Sequence, residues 1–162
     1  MKRVFGFGVL VALFLLILAG CSQPITGDEK TAADYVKASG YKISSYKGQI
    51  HKYILVKSKL YGSIESLQYR QMWGVQRNEP DPYFGKEITI YRFVVSDHPL
   101  EELYKTSTSV YVMLSEGKAI GGYSFPNKNM VGAVYSMDGR TVEEVTGLTY
   151  QEWAAQWQRK YE

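Results

Sequence analysis

The segment from Glu87 to Ser96 constrains this 162-residue chain more than any other, because apolar residues alternate on both of its faces: Ile88, Ile90 and Val94 on one, Tyr91, Phe93 and Val95 on the other. A strand of that kind presents hydrophobic surface whichever way it turns, so it belongs inside a covered sheet. Arg92 alone breaks the pattern. Thr108 to Leu114 resumes period-two alternation through Val110, Val112 and Leu114, and Ser115, Glu116 and Gly117 predict a turn into a strand over Lys118 to Phe125. Gly121 and Gly122 in that strand predict a bulge or a close backbone approach. Met130 to Met137 reads as a further strand, with Asp138 and Gly139 as a hairpin turn leading into a partner from Arg140 to Val145. Earlier in the chain, 41–43 and 49–56 have the β-branched and aromatic content of a hairpin turning at Tyr46, Lys47 and Gly48.

Helical signals frame these strands. Thr31 is placed to cap a helix to about Ser39, with Gly40 where a left-handed stop falls. Leu60, Ile64 and Leu67 recur at helical spacing in the region of Gly62 to Trp73, with Gly74 as the stop, and the acidic, proline-punctuated stretch from Asn78 to Pro82 is a loop. Thr149 and Glu152 form a capping box opening a helix to about Lys160, along which Tyr150, Trp153, Trp157 and Tyr161 make an aromatic stripe. These elements predict an α+β fold: an antiparallel sheet of about five to seven strands packed by two or three helices, in a single domain over 30–162.

The N-terminal region is of another kind. Lys2 and Arg3 precede fifteen residues, Val4 to Leu18, without one charge. At ~1.5 Å per residue that run makes a helix of roughly 22 Å, short of the ~30 Å hydrocarbon core of a bilayer, which favours the apolar core of a signal peptide over a permanent span. Leu18, Ala19, Gly20 and Cys21 come next. This order resembles the lipobox of bacterial lipoproteins. The resemblance implies cleavage between Gly20 and Cys21, a signal peptide over 1–20, a thioether-linked diacylglycerol on Cys21 and a further acyl chain, such as palmitate, on the new amine. Each buried CH₂ adds ~0.8 kcal/mol, so two chains anchor where one holds only marginally. It also implies a protein held at the extracytoplasmic face of the cell membrane, with Ser22 permitting sorting to an outer membrane where the cell has one. Residues 21–29, polar after the cysteine, read as a short flexible tether with a span of roughly 15 Å.

Cys21 is the only cysteine, so an extracytoplasmic domain made by this chain stands on its core without disulfides. Removing Lys2 and Arg3 from the 19 basic residues leaves 17 against 16 acidic ones, a balance that offers no basic footprint for nucleic acid.

No catalytic template is met. His51 and His98 have no second ligand at metal spacing, and no cofactor motif is present. Ser124 lies in a Gly-Gly-Tyr-Ser-Phe-Pro stretch that lacks the final glycine of a nucleophile elbow. Gly85 and Lys86 are followed by Glu87 where a phosphate-binding loop needs Ser or Thr. Glu79 and Asp81 are acids in a loop, more apt to face solvent than to work as a catalytic pair. The rival to a noncatalytic reading is a hydrolase with scattered residues such as His98, Asp97 and Glu101.

Fourteen tyrosines, all after Cys21, are the compositional anomaly. Their amphipathic rings suit sheet packing or a partner or glycan surface. The stripe of Tyr150, Trp153, Trp157 and Tyr161 likewise either docks on its own sheet or forms an interaction surface toward a membrane or partner. A turn at Tyr83, Gly85 and Lys86 before a strand, Ile120 to Gly122 at the end of a hairpin, and a helix leading through Val36 and Lys37 into Gly40 and Tyr41 resemble, over residues 32 to 125, small Gram-positive envelope proteins of a domain-of-unknown-function family. The pattern departs at Tyr123, where that family carries an acidic residue, and the resemblance implies no activity. The expectation is a lipid-anchored envelope lipoprotein acting as a noncatalytic binding or interaction module, its partners the membrane through Cys21 and an envelope protein or glycan. A structural or stress-related surface protein is the third reading.

Overall fold

The structure, a computed structural model, describes residues 27–162. The expected signal peptide, the lipobox-like stretch with Gly20 and Cys21, and the expected tether as far as residue 26 lie outside the described residues. The architecture is α+β. Five strands, β1 (Lys42–Ile54), β2 (Glu87–Ser96), β3 (Thr108–Ser115), β4 (Lys118–Pro126) and β5 (Tyr135–Ser136), form one open sheet in the order β1-β2-β3-β4-β5, antiparallel throughout. The described helices are α1 (Gly27–Ala38), α2 (Ser66–Gly74), the single turns α3 (Leu100–Tyr104) and α4 (Val142–Thr146), and α5 (Tyr150–Tyr161).

The two-faced strand dictates the layering. On one face of the sheet Tyr91, Phe93 and Val95 of β2 join Val110, Val112 and Leu114 of β3, and Ala32, Ala33 and Val36 of α1 cover them. On the other face Ile88, Ile90, Met113, Ile120 and Tyr123 pack against Met72 and Trp73 of α2 and against Trp153, Trp157 and Tyr161 of α5. Each cluster is drawn from residues between Ala32 and Tyr161. Arg92, on the face shared with Ile88 and Ile90, is half-buried and donates to Ser109 Oγ (3.0 Å) and Asn127 Oδ1 (3.1 Å), so its charge is met by hydroxyl and amide oxygens.

Several local expectations are corrected. The hairpin at 41–56 is one continuous strand of 13 residues, and Gly48 (φ 87°) sits at one of three register shifts against β2. Its positive φ serves a bulge instead of a reversal, because β2 offers a partner along the whole length. α1 starts at Gly27 with Asp28 and Glu29 in its first turn, where they favour the helix dipole, so the segment beyond Cys21 is helical before residue 29 and Thr31 lies inside the helix. Gly74 is the last helical residue and no left-handed stop: a Cβ there would lie 2.4 Å from Trp153 Cζ2, so its missing side chain admits the α5 indole.

Of the expected strand over Met130 to Met137 only Tyr135–Ser136 pairs with β4. Asp138 and Gly139 do turn the chain, with Gly139 N donating to Ser136 O. The chain then enters α4 and forms no strand, since Thr141 Oγ1 accepts from Glu144 N while the Glu144 carboxylate accepts from Thr141 N, a capping box that starts a helix. The turn between β3 and β4 falls at Glu116 (φ 51°) and Gly117 (φ 72°), the two left-handed positions of a tight hairpin. Ile120 to Gly122 do not end this hairpin; they lie within β4, where Ile120 is the extra residue opposite Met113 and Leu114.

Candidate functional site

β5 covers only two residues of β4, which leaves the rest of that edge with unpaired backbone groups. Two side-chain amides from the segment after α2 replace the missing strand: Gln76 Oε1 accepts from Gly122 N (2.9 Å) and Asn78 Nδ2 donates to Ile120 O (2.8 Å). The Gln76 amide occupies the space a Gly121 Cβ would need, 2.2 Å away, and Tyr111 O lies 2.7 Å from where a Gly122 Cβ would be. The paired glycines therefore serve a close approach, as their position in a strand suggested. Beside this edge Asp138 accepts from Arg140 Nε (3.0 Å) and Ser136 Oγ (2.5 Å), with exposed Arg77 at 3.6 Å. Burial works against the Asp138 charge, but the Ser136 and Arg140 bonds outweigh it and hold the carboxyl below its ordinary range.

The aromatic stripe divides. Trp153, Trp157 and Tyr161 are buried in the core, Trp157 Nε1 donating to Leu60 O (2.9 Å), whereas Tyr150 remains 47% exposed. Of the two readings of the stripe, docking on its own fold holds for Trp153, Trp157 and Tyr161, and only Tyr150 is left for an interaction surface. At the far end of the same helix Lys160 pairs with Glu79 (2.7 Å) and Asp81 (3.0 Å), and Tyr161 Oη donates to Asp81 (2.8 Å). The loop acids thus fasten α5. Burial disfavours the Asp81 charge, and bonds from Lys160 and Tyr161 nevertheless lower its pKa.

The hydrolase candidates are brought close together but are bound elsewhere. His98 is 2% exposed; its Nδ1 accepts from Leu100 N (3.2 Å) and its Nε2 lies 3.1 Å from Met137 O, which requires the Nε2–H tautomer. Burial lowers its pKa below 6.5. Asp97 pairs with Lys42 (2.9 Å), and the Glu101 carboxylate accepts from Asp97 N (3.2 Å). Both imidazole nitrogens are bound to backbone, so this histidine has no free nitrogen with which to act as a base. Ser124, fully buried, donates to Ser136 O (2.8 Å), and His51 meets Tyr69 Oη (3.1 Å). Among the described residues no group of three or more His, Cys, Asp or Glu could hold a metal ion, and no helix is long and apolar enough to cross a membrane.

The feature not legible in the sequence is a half-open cavity of about 360 Å³ bounded by α2, α4, α5 and the irregular segment 127–134. Buried Val75 and Trp153 form its floor, and Phe125, Met130, Val134 and Val142 its walls. Tyr150 and Glu143 stand exposed at its lip, and the hydroxyls of Tyr104 and Tyr135 hydrogen-bond to each other at its edge. The Tyr104 contact and burial push the Tyr135 hydroxyl up to about 12. A concave, mainly apolar lining with a few polar groups on its rim is the common form of a small-molecule site.

No protein-family model matches the chain, and neither a curated protein nor a solved structure is similar to it at a significant level.

Proposed function

We propose that this chain is a lipid-anchored, extracytoplasmic binding module of the cell envelope, noncatalytic and tethered to the membrane through Cys21. The carrying observation is the order of parts: two basic residues, an apolar run to Leu18, the Leu-Ala-Gly-Cys sequence ending at Cys21, and then a domain whose cores begin at Ala32. With α1 starting at Gly27, five residues separate it from Cys21. Six peptide steps reach about 20 Å at full extension, which holds the domain close to the bilayer. Binding is favoured over catalysis because the polar groups nearest to a hydrolase constellation, His98, Asp97 and Glu101, are engaged in structural bonds while an apolar cavity stands open.

Mass spectrometry of the mature N-terminal peptide from the membrane fraction tests the reading. A diacylglyceryl Cys21, together with loss of membrane retention in Cys21→Ala, is the expected result. An N-terminal peptide starting at Met1, with retention unchanged in the variant, overturns it.

A further inference from the structure

We infer that the cavity between α2, α4, α5 and the segment 127–134 takes the alkyl chain of a single-chain anionic amphiphile, a long-chain carboxylate, an assignment that rests on the binding-module reading above. Its floor and walls, Val75, Trp153, Phe125, Met130, Val134 and Val142, offer no charge to a ligand. The apolar surface also continues outside: Leu103, next to Tyr104, is 67% exposed and Val131, next to Met130, is fully exposed. Exposed aliphatic residues one position from lining residues suit a chain that extends past the mouth.

The rim selects the head group. Lys128 Nζ lies 5.2 Å from the centroid of the Tyr104 ring and makes no ion pair among the described residues. In the Tyr104–Tyr135 pair one hydroxyl donates to the other, which leaves one O–H free to donate outward. A carboxylate thus finds an ammonium and a hydroxyl. Of the two acids of α4 nearby, Glu144 is held by the Thr141 backbone N–H (2.7 Å), and Glu143 is the one carboxylate at the lip that a cationic head could use.

Phe125 of the cavity stands at the end of β3 and β4 away from the start of α1. An added Gly117 Cβ would lie 3.6 Å from Asp28 Oδ1, so the start of α1 sits beside the β3–β4 turn. Phe125 of the cavity pairs with Ser109 at the opposite end of β3, six residues from Ser115, about 20 Å at ~3.3 Å per residue.

Membranes bearing the full chain are irradiated with dodecanoate, dodecanol and dodecylamine probes, each carrying a diazirine in the alkyl chain, and the tryptic peptides are mapped. The expected result is carboxylate-probe adducts on the peptides 129–140 and 141–159, suppressed by free dodecanoate and reduced at least about tenfold in Val134→Trp, which fills the cavity. Lys128→Glu, an exposed change, is expected to lower carboxylate labelling about tenfold, read on 119–140 because the substitution removes the tryptic site at 128, while altering dodecanol labelling less than about twofold. Adducts absent from those peptides, or persisting in Val134→Trp, overturn the site. Amine labelling equal to or above that of the carboxylate overturns the head-group assignment. Labelling is read independently of retention, so release or persistence of Cys21→Ala judges the anchor alone.

Discussion

At the scale of single residues, the two positions that say most about this molecule are a glycine and a histidine. Gly74 is where the α5 indole of Trp153 meets the α2 backbone, and a Cβ there falls 2.4 Å from a rigid ring atom. Gly74→Ala gains helix propensity of about 1 kcal/mol but forces two packed helices apart, at about 1–3 kcal/mol. A net loss of stability is expected, read as a lower urea midpoint at unchanged slope. His98 carries the pH dependence. Its pKa is lowered in the folded state by burial, so between the folded value and the ordinary 6.5 the unfolded chain binds the extra proton. Stability contributed by neutral His98 is therefore complete above pH 6.5 and is lost as pH falls below it, until the folded imidazole itself titrates. Urea unfolding at a series of pH values from 7.5 down to about 5 checks this, and His98→Gln is expected to flatten the dependence over that window.

At the scale of elements, the sheet solves an edge problem with side chains. β4 runs nine residues but β5 pairs with only two of them, and Gln76 and Asn78 supply the acceptor and the donor that a neighbouring strand would have given. Gln76→Ala leaves the Gly122 N–H without its acceptor, an expected cost of about 1–3 kcal/mol, and the Gly122 amide is expected to exchange with solvent faster than its neighbours in β4 when followed by NMR. α5 depends on its two ends: the Thr149 and Glu152 capping box at the start, and Lys160 with Tyr161 against Glu79 and Asp81 at the finish. Thr149→Ala is expected to cost about 1 kcal/mol in thermal or urea unfolding. The exposed ion pairs at the far end are worth less, because solvent screens them.

At the scale of the whole molecule, one sheet carries two cores, one against α1 and the other against α2 and α5. Since β2 and β3 contribute side chains to both, neither can melt while the other stays intact. The chain from Ser22 onward is expected to unfold in one transition, with tryptophan fluorescence and far-ultraviolet circular dichroism coincident; two separated transitions would contradict the shared sheet. Much of this architecture is legible locally. The double-faced β2, the alternating β3, the turn at Glu116 and Gly117 and the capping box at Thr149 are periodicities and caps set by neighbours a few residues away, so local sequence is enough to define them. Whether Gly48 reverses the chain or absorbs a bulge depended on β2 being available as a partner, a contact remote in sequence. Whether Trp153 and Trp157 faced a partner or their own sheet depended on the apolar surface that α2 and the strands left open for α5. The cavity belongs wholly to this second kind: Val75, Phe125, Val134 and Trp153 share no motif, and only the packing of distant segments brings them round one space.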